Sequence, residues 1–190
     1  LQPTVDYFAS SWSRTSLAAT PGWTTDSVLN PDFANSSICE LGETPLACEY
    51  RVHNPSVALI LFGTNDVAFV NFENYVVNMN RIVDITLENG VIPVLTSLPP
   101  RPDFPARRDQ YNQAVLSIAT TRGLAYVDLY AALVPLPNAG MDQDGVHPSV
   151  PPLGFEDAAV FNEENLQFGY VMRNLTTLQA LHVIRESVLQ

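Results

Sequence analysis

Apolar residues fill Val57 to Phe62 without a break, and the run then opens at Gly63 into Thr64, Asn65 and Asp66. A parallel strand buried on both faces reads this way when its carboxyl end leads into a site. Downstream, Asn71 precedes Phe72, Tyr75, Val76, Met79, Ile82, Val83 and Thr86, a stripe at helical spacing that closes at Gly90. Val91 to Thr96 predicts the next strand, which Ser97, Leu98, Pro99 and Pro100 carry into a loop. Tyr111, Ala114, Val115, Ile118 and Ala119, ended by Gly123, predict a second helix, and Ala125 to Leu129 a third strand. Val171, Leu175, Leu178, Leu181, Ile184 and Val188 predict a long amphipathic helix that closes the chain. Strand and helix alternating at this spacing imply an α/β fold, with a parallel sheet, right-handed crossovers and helices on both faces.

Ahead of Val57 the pattern is weaker. Val5, Tyr7 and Phe8 suggest a short helix, and Leu17, Ala18 and Ala19 a short strand. Pro21, Gly22 and Trp23 form a sharp turn, with Thr24 or Thr25 able to cap the next segment. From Asn30 to Pro55, prolines, Gly42 and mixed polar residues suggest a long excursion, which a compact domain tolerates when it is stapled or functional. Cys39 and Cys48 lie within that excursion, and a disulfide between them would supply the staple. Such a bridge points to an oxidising compartment, so the expected location is extracellular or at the cell surface.

A length of 190 residues suits a single domain that buries a real core, and no apolar run approaches the roughly 20 residues of a membrane span. Twenty acidic residues against nine basic ones give a formal charge of -11, which repels phosphate backbones and anionic lipid surfaces. Nucleic acid is therefore not an expected partner. All nine basic residues are arginine, a bias with no evident physical cause.

Two short stretches carry chemistry. Asn65 offers an amide with two N–H donors at a strand end, suited to holding a developing negative charge. Asp144-Gly145-Val146-His147 sets a carboxylate three residues before an imidazole, close enough to hold one tautomer and stabilise the imidazolium formed on proton abstraction. Each stretch alone also fits a plain turn, because Gly, Asn and Asp are the commonest turn formers. A calcium loop is ruled out, since Gly140 and Pro151 occupy positions where an EF-hand needs carboxylates. Neither His53 nor His182 is spaced to join His147 at zinc, so no metal is expected and both read as structural.

In order and context, Gly22 in a turn, Gly63-Thr64-Asn65-Asp66 after a strand, and Asp144-Gly145-Val146-His147 before a final helix resemble three sequence blocks of the SGNH (GDSL-type) hydrolases. The resemblance covers about residues 15 to 150. It implies a flavodoxin-like three-layer α/β/α sandwich and a serine esterase without cofactors, acting on a carbohydrate O-acyl or lipid-like ester. It also implies His147 as general base, Asp144 as its orienting carboxylate, and the Asn65 side chain and Gly22 N–H as oxyanion donors, all converging on one sheet edge.

The family's first block, Gly-Asp-Ser, does not occur in residues 1–190, and none of Ser10, Ser11, Ser13 and Ser16 stands in its context. The nucleophile is therefore expected outside this stretch. The domain is expected to be N-terminally incomplete, with an upstream segment of the same protein supplying a central strand and the serine. A relative that has lost its serine and serves as a binding or structural surface module is the alternative.

Overall fold

The computed structural model describes residues 1–189, which cluster into two compact units. One comprises Thr15–Thr96 with Ala106–Tyr126; the other comprises Leu1–Arg14, Ser97–Pro105 and the chain from Val127 on. Among the described residues, eight α-helices and three strands appear in the order α1 (Gln2–Tyr7), α2 (Thr25–Leu29), α3 (Pro45–His53), β1 (Val57–Ile60), α4 (Asp66–Phe69), α5 (Phe72–Glu88), β2 (Ile92–Thr96), α6 (Pro105–Arg122), β3 (Ala125–Val127), α7 (Leu129–Leu133) and α8 (Gly169–Ser187). The strands form a parallel sheet in the order β1-β2-β3, in register from Val57 opposite Ile92 to Ile60 opposite Leu95. The fold is α/β, as the alternation of periods implies.

In the first unit the sequence signals act where expected. The Asn71 side chain accepts the Asn74 N–H and starts α5, and Gly90 leaves the helix at φ 71°. The phenol of Tyr75 on α5 stacks on that of Tyr111 on α6, with ring centres 4.4 Å apart. Both residues are fully buried, and their hydroxyls find backbone partners. Tyr75 donates to the Phe62 carbonyl at 3.0 Å and Tyr111 to the Val70 carbonyl at 2.6 Å, so the segment leaving β1 is held at both ends.

Three expectations need correction. The apolar run from Val57 is not a strand buried on both faces. It pairs only through Ile60, and Leu59 remains 45% exposed because, among the described residues, β1 has a strand neighbour on one side alone. No strand forms near Leu17; the Leu17 N–H and the Ser16 hydroxyl both donate to the Glu49 carboxylate, which takes the place of a ladder partner. The excursion from Asn30 to Pro55 contains α3, capped by Thr44 with Pro45 in its first turn and burying Leu46, Cys48, Glu49 and Tyr50. A disulfide joins Cys39 to Cys48. Beside it, Arg51 forks onto Glu43 with two contacts of 2.8 Å and reaches the Ile38 carbonyl at 3.2 Å.

In the second unit α8 packs against α1 and α7. His182 on α8 lies 3.0 Å from the Thr4 hydroxyl and Arg185 donates to the same oxygen at 3.2 Å, so His182 is structural.

Candidate active site

Asn65 stands at the end of the turn that leaves β1, where Gly63 takes φ 129°, a conformation that favours glycine. Its Nδ2 donates to the Trp23 carbonyl at 3.0 Å. One N–H is spent on that contact, which orients the amide, and the other remains to donate elsewhere. Trp23 follows Gly22, whose φ of 84° makes the turn. The structure thus holds the Asn65 amide against the residue that follows the Gly22 turn.

The neighbouring Asp66 is fully buried and accepts both the Thr25 N–H at 2.9 Å and the Thr25 hydroxyl at 2.6 Å on Oδ1. Burial raises its pKa above the ordinary carboxyl value, and the Thr25 contacts oppose that only in part. Among the described residues its Oδ2 has no hydrogen-bond partner. In the sequence this aspartate reads only as a turn former. Its partner lies 41 residues away, beyond any local pattern.

Asp144 and His147 form a compact pair in the other unit. His147 Nδ1 lies 2.6 Å from Asp144 Oδ2, while Asp144 Oδ1 accepts the N–H groups of Val146 and His147 at 2.8 and 2.9 Å. The hydrogen bond to His147, then those backbone donors, hold the Asp144 carboxyl well below the usual carboxylate range. A carboxylate bonded to Nδ1 leaves Nε2 as the atom that can take a proton. Gly145 turns the chain at φ 68°, with Pro102 close enough that a Cβ there would sit 3.0 Å from its Cγ.

The loop carrying this pair is closed at its base. Met141 bridges Pro148, the Asp142 N–H donates to the His147 carbonyl at 2.8 Å, and the Ser149 N–H donates to the Gly140 carbonyl at 2.8 Å. The start of α8 seats on this base, where Gly169 N–H donates to the Ser149 hydroxyl at 2.9 Å and Tyr170 N–H to the Ser149 carbonyl at 3.1 Å. A Cβ on Gly169 would fall 1.9 Å from the Gly140 carbonyl oxygen, so only glycine permits this approach. The sequence gives no sign of it. His53 lies in α3 beside Glu49, remote in sequence from this loop, and reads as structural.

The GDSL-like lipase/acylhydrolase family model matches residues 2–151. No match is found among curated proteins. Among solved structures, a GDSL-like lipase from Bacteroides thetaiotaomicron VPI-5482 is 20% identical and superposes with a TM-score of 0.55, over 73% of this chain and 67% of that one. A Bacteroides fragilis NCTC 9343 protein assigned to the acylhydrolases is 19% identical, with a TM-score of 0.64 over 96% of this chain and 82% of that one. A catalytic variant of an acetylxylan esterase from Geobacillus stearothermophilus is 21% identical, with a TM-score of 0.53 over 70% of this chain and 62% of that one. At these identities the structures establish the shared α/β/α fold alone. The match over residues 2–151 goes further, and the chain belongs to the GDSL-like lipase/acylhydrolase family.

Proposed function

We propose that the protein is a serine esterase of SGNH type, hydrolysing a carbohydrate O-acyl or lipid-like ester by acyl transfer. The observation that carries this reading is the 2.6 Å contact between Asp144 and His147 Nδ1, which leaves Nε2 for proton transfer. As a serine Oγ attacks the acyl carbon, Nε2 takes the hydroxyl proton, and the Asn65 amide and Gly22 N–H hold the negative charge that forms on the acyl oxygen. Collapse expels the alcohol, which receives the proton from His147. Water then repeats the sequence, releasing the acid and restoring the serine. No metal or cofactor enters this scheme.

The serine is the part that residues 1–190 lack in its family context. A strand of the same protein from outside this stretch, pairing along the open edge of β1 and ending in Gly-Asp-Ser, would supply it. The edge position of β1 and the exposure of Leu59 support this source. The bridged cysteines support an extracellular or cell-surface location. The alternative, an inactive binding module, draws on the same missing serine.

The test is hydrolysis of 4-nitrophenyl acetate and acetylated xylo-oligosaccharides by the full-length protein, beside its His147→Ala variant. Turnover that His147→Ala abolishes is expected. Binding of the oligosaccharide without turnover would favour the inactive module.

A further inference from the structure

We infer that Asp66, which no step of the chemistry uses, is a positioning residue that clamps the Gly22 turn against the Asn65 amide. This rests on the esterase reading and adds the device that keeps its two oxyanion donors aligned. Consecutive residues at the exit of β1 reach the same short segment at two points: Asn65 Nδ2 donates to the Trp23 carbonyl at 3.0 Å, and Asp66 Oδ1 accepts from the Thr25 N–H at 2.9 Å and hydroxyl at 2.6 Å. Asn78 on α5 donates to the Thr25 hydroxyl at 3.1 Å and to Asp26 at 2.7 Å, so the clamped threonine is also held from the helix behind it.

The division of labour stems from these contacts. If Asp66 were absent, the Asn65 amide would be the one remaining contact from the exit of β1 to this segment, and the same amide must also face the developing oxyanion. A side chain that serves as both tether and donor can shift when the charge forms, which lowers its worth as a preorganised dipole. Two acceptor contacts on a fully buried carboxyl remove that burden. The role requires an acceptor oxygen rather than a charge, because both Thr25 donors converge on one atom. Asparagine at position 66 supplies the same oxygen and should preserve the clamp.

The experiment compares Asp66→Ala, Asp66→Asn and Thr25→Val in the full-length protein, with kcat and KM for an acetyl ester expressed per site titrated by a fluorophosphonate. Amide hydrogen exchange at Thr25 is followed in parallel. Expected for Asp66→Ala are a kcat about 10 to 100-fold below the parent, a KM within about threefold, and faster exchange at Thr25. Asp66→Asn should restore both to within about threefold. If Asp66→Ala does not fold, Thr25→Val removes one of the two contacts and should lower kcat by about 2 to 10-fold. Faster exchange at Thr25 with kcat within twofold of the parent would overturn the positioning role and leave the esterase reading standing. Equal losses in Asp66→Ala and Asp66→Asn would overturn it too. A parent that turns over no ester removes the esterase reading itself, and the positioning role with it.

Discussion

Gly169→Ala is a substitution for which two physical arguments give opposite signs. Alanine is favoured over glycine in a helix by up to about 1 kcal/mol, so at the start of α8 propensity alone predicts a gain. The structure predicts a loss, because the added Cβ would lie 1.9 Å from the Gly140 carbonyl oxygen and 2.9 Å from both the Gly140 carbonyl carbon and Pro148 Cβ. An ordinary contact needs at least about 3 Å, so the helix start and the base of the His147 loop must separate by about 1 Å. The obstacles are backbone and a proline ring, which cannot swing aside. Overpacking of this kind costs about 1 to 3 kcal/mol, and losing the Gly169 N–H contact to Ser149 adds about 1 kcal/mol. Set against the propensity gain, a net loss of about 2 kcal/mol corresponds to roughly 4 to 8 °C in thermal midpoint for a chain of this size, read by scanning calorimetry. Gly140 and Pro148 bound the segment that carries Asp144 and His147, so kcat should fall as well. A midpoint unchanged or raised in Gly169→Ala would refute the close approach and the seating of the His147 loop on α8.

Replacing Asp144 by Asn keeps the shape but removes the carboxylate bonded to Nδ1, and kcat should fall about 100 to 10,000-fold with little change in KM; steady-state kinetics on an acetyl ester reads this directly. Removing the disulfide with Cys39→Ser and Cys48→Ser together should cost about 2 to 3 kcal/mol in urea unfolding, and thiol titration of the unfolded, unreduced parent should find none. Burial raises the folded pKa of Asp66 above its unfolded value of about 3.9, so its contribution to stability is fully present below that pH and is lost as the pH rises through the folded value. Asp66→Asn has no such proton to lose and should gain on the parent in thermal midpoint as the pH rises from about 4; a pH-independent difference would contradict this.

The alternation of β1, α5, β2, α6 and β3 is legible in the sequence because each helix buries one stripe and the strands are short, bounded apolar runs. Asn71 and Gly90 mark the ends of α5 because caps are local chemistry. The Asp144–His147 contact is equally local, spanning a single turn. Apart from helix α3, the features that escape depend on distant partners. Helix α3 reads as loop from its proline and cysteine, although Thr44 and Pro45 form an ordinary helix start. Periodicity marks Leu59 as apolar without saying what covers it. The strand expected near Leu17 gives way to a carboxylate, Glu49, that no pattern in residues 15–20 announces. The clamp between Asp66 and Thr25 and the contact of Gly169 with Gly140 join positions tens of residues apart, where neither residue type signals its partner.

In the proposed mechanism Asp144 and His147 activate a serine supplied from outside residues 1–190. Labelling the full-length protein with a fluorophosphonate, then mapping the label by peptide mass spectrometry, tests it most directly, because this reagent modifies activated serines and spares unactivated ones. One labelled serine is expected, lying in a Gly-Asp-Ser context outside Leu1 to Gln190, with loss of labelling in His147→Ala. Labelling of a serine within residues 1–190, labelling that persists in His147→Ala, or no labelling at all would contradict it.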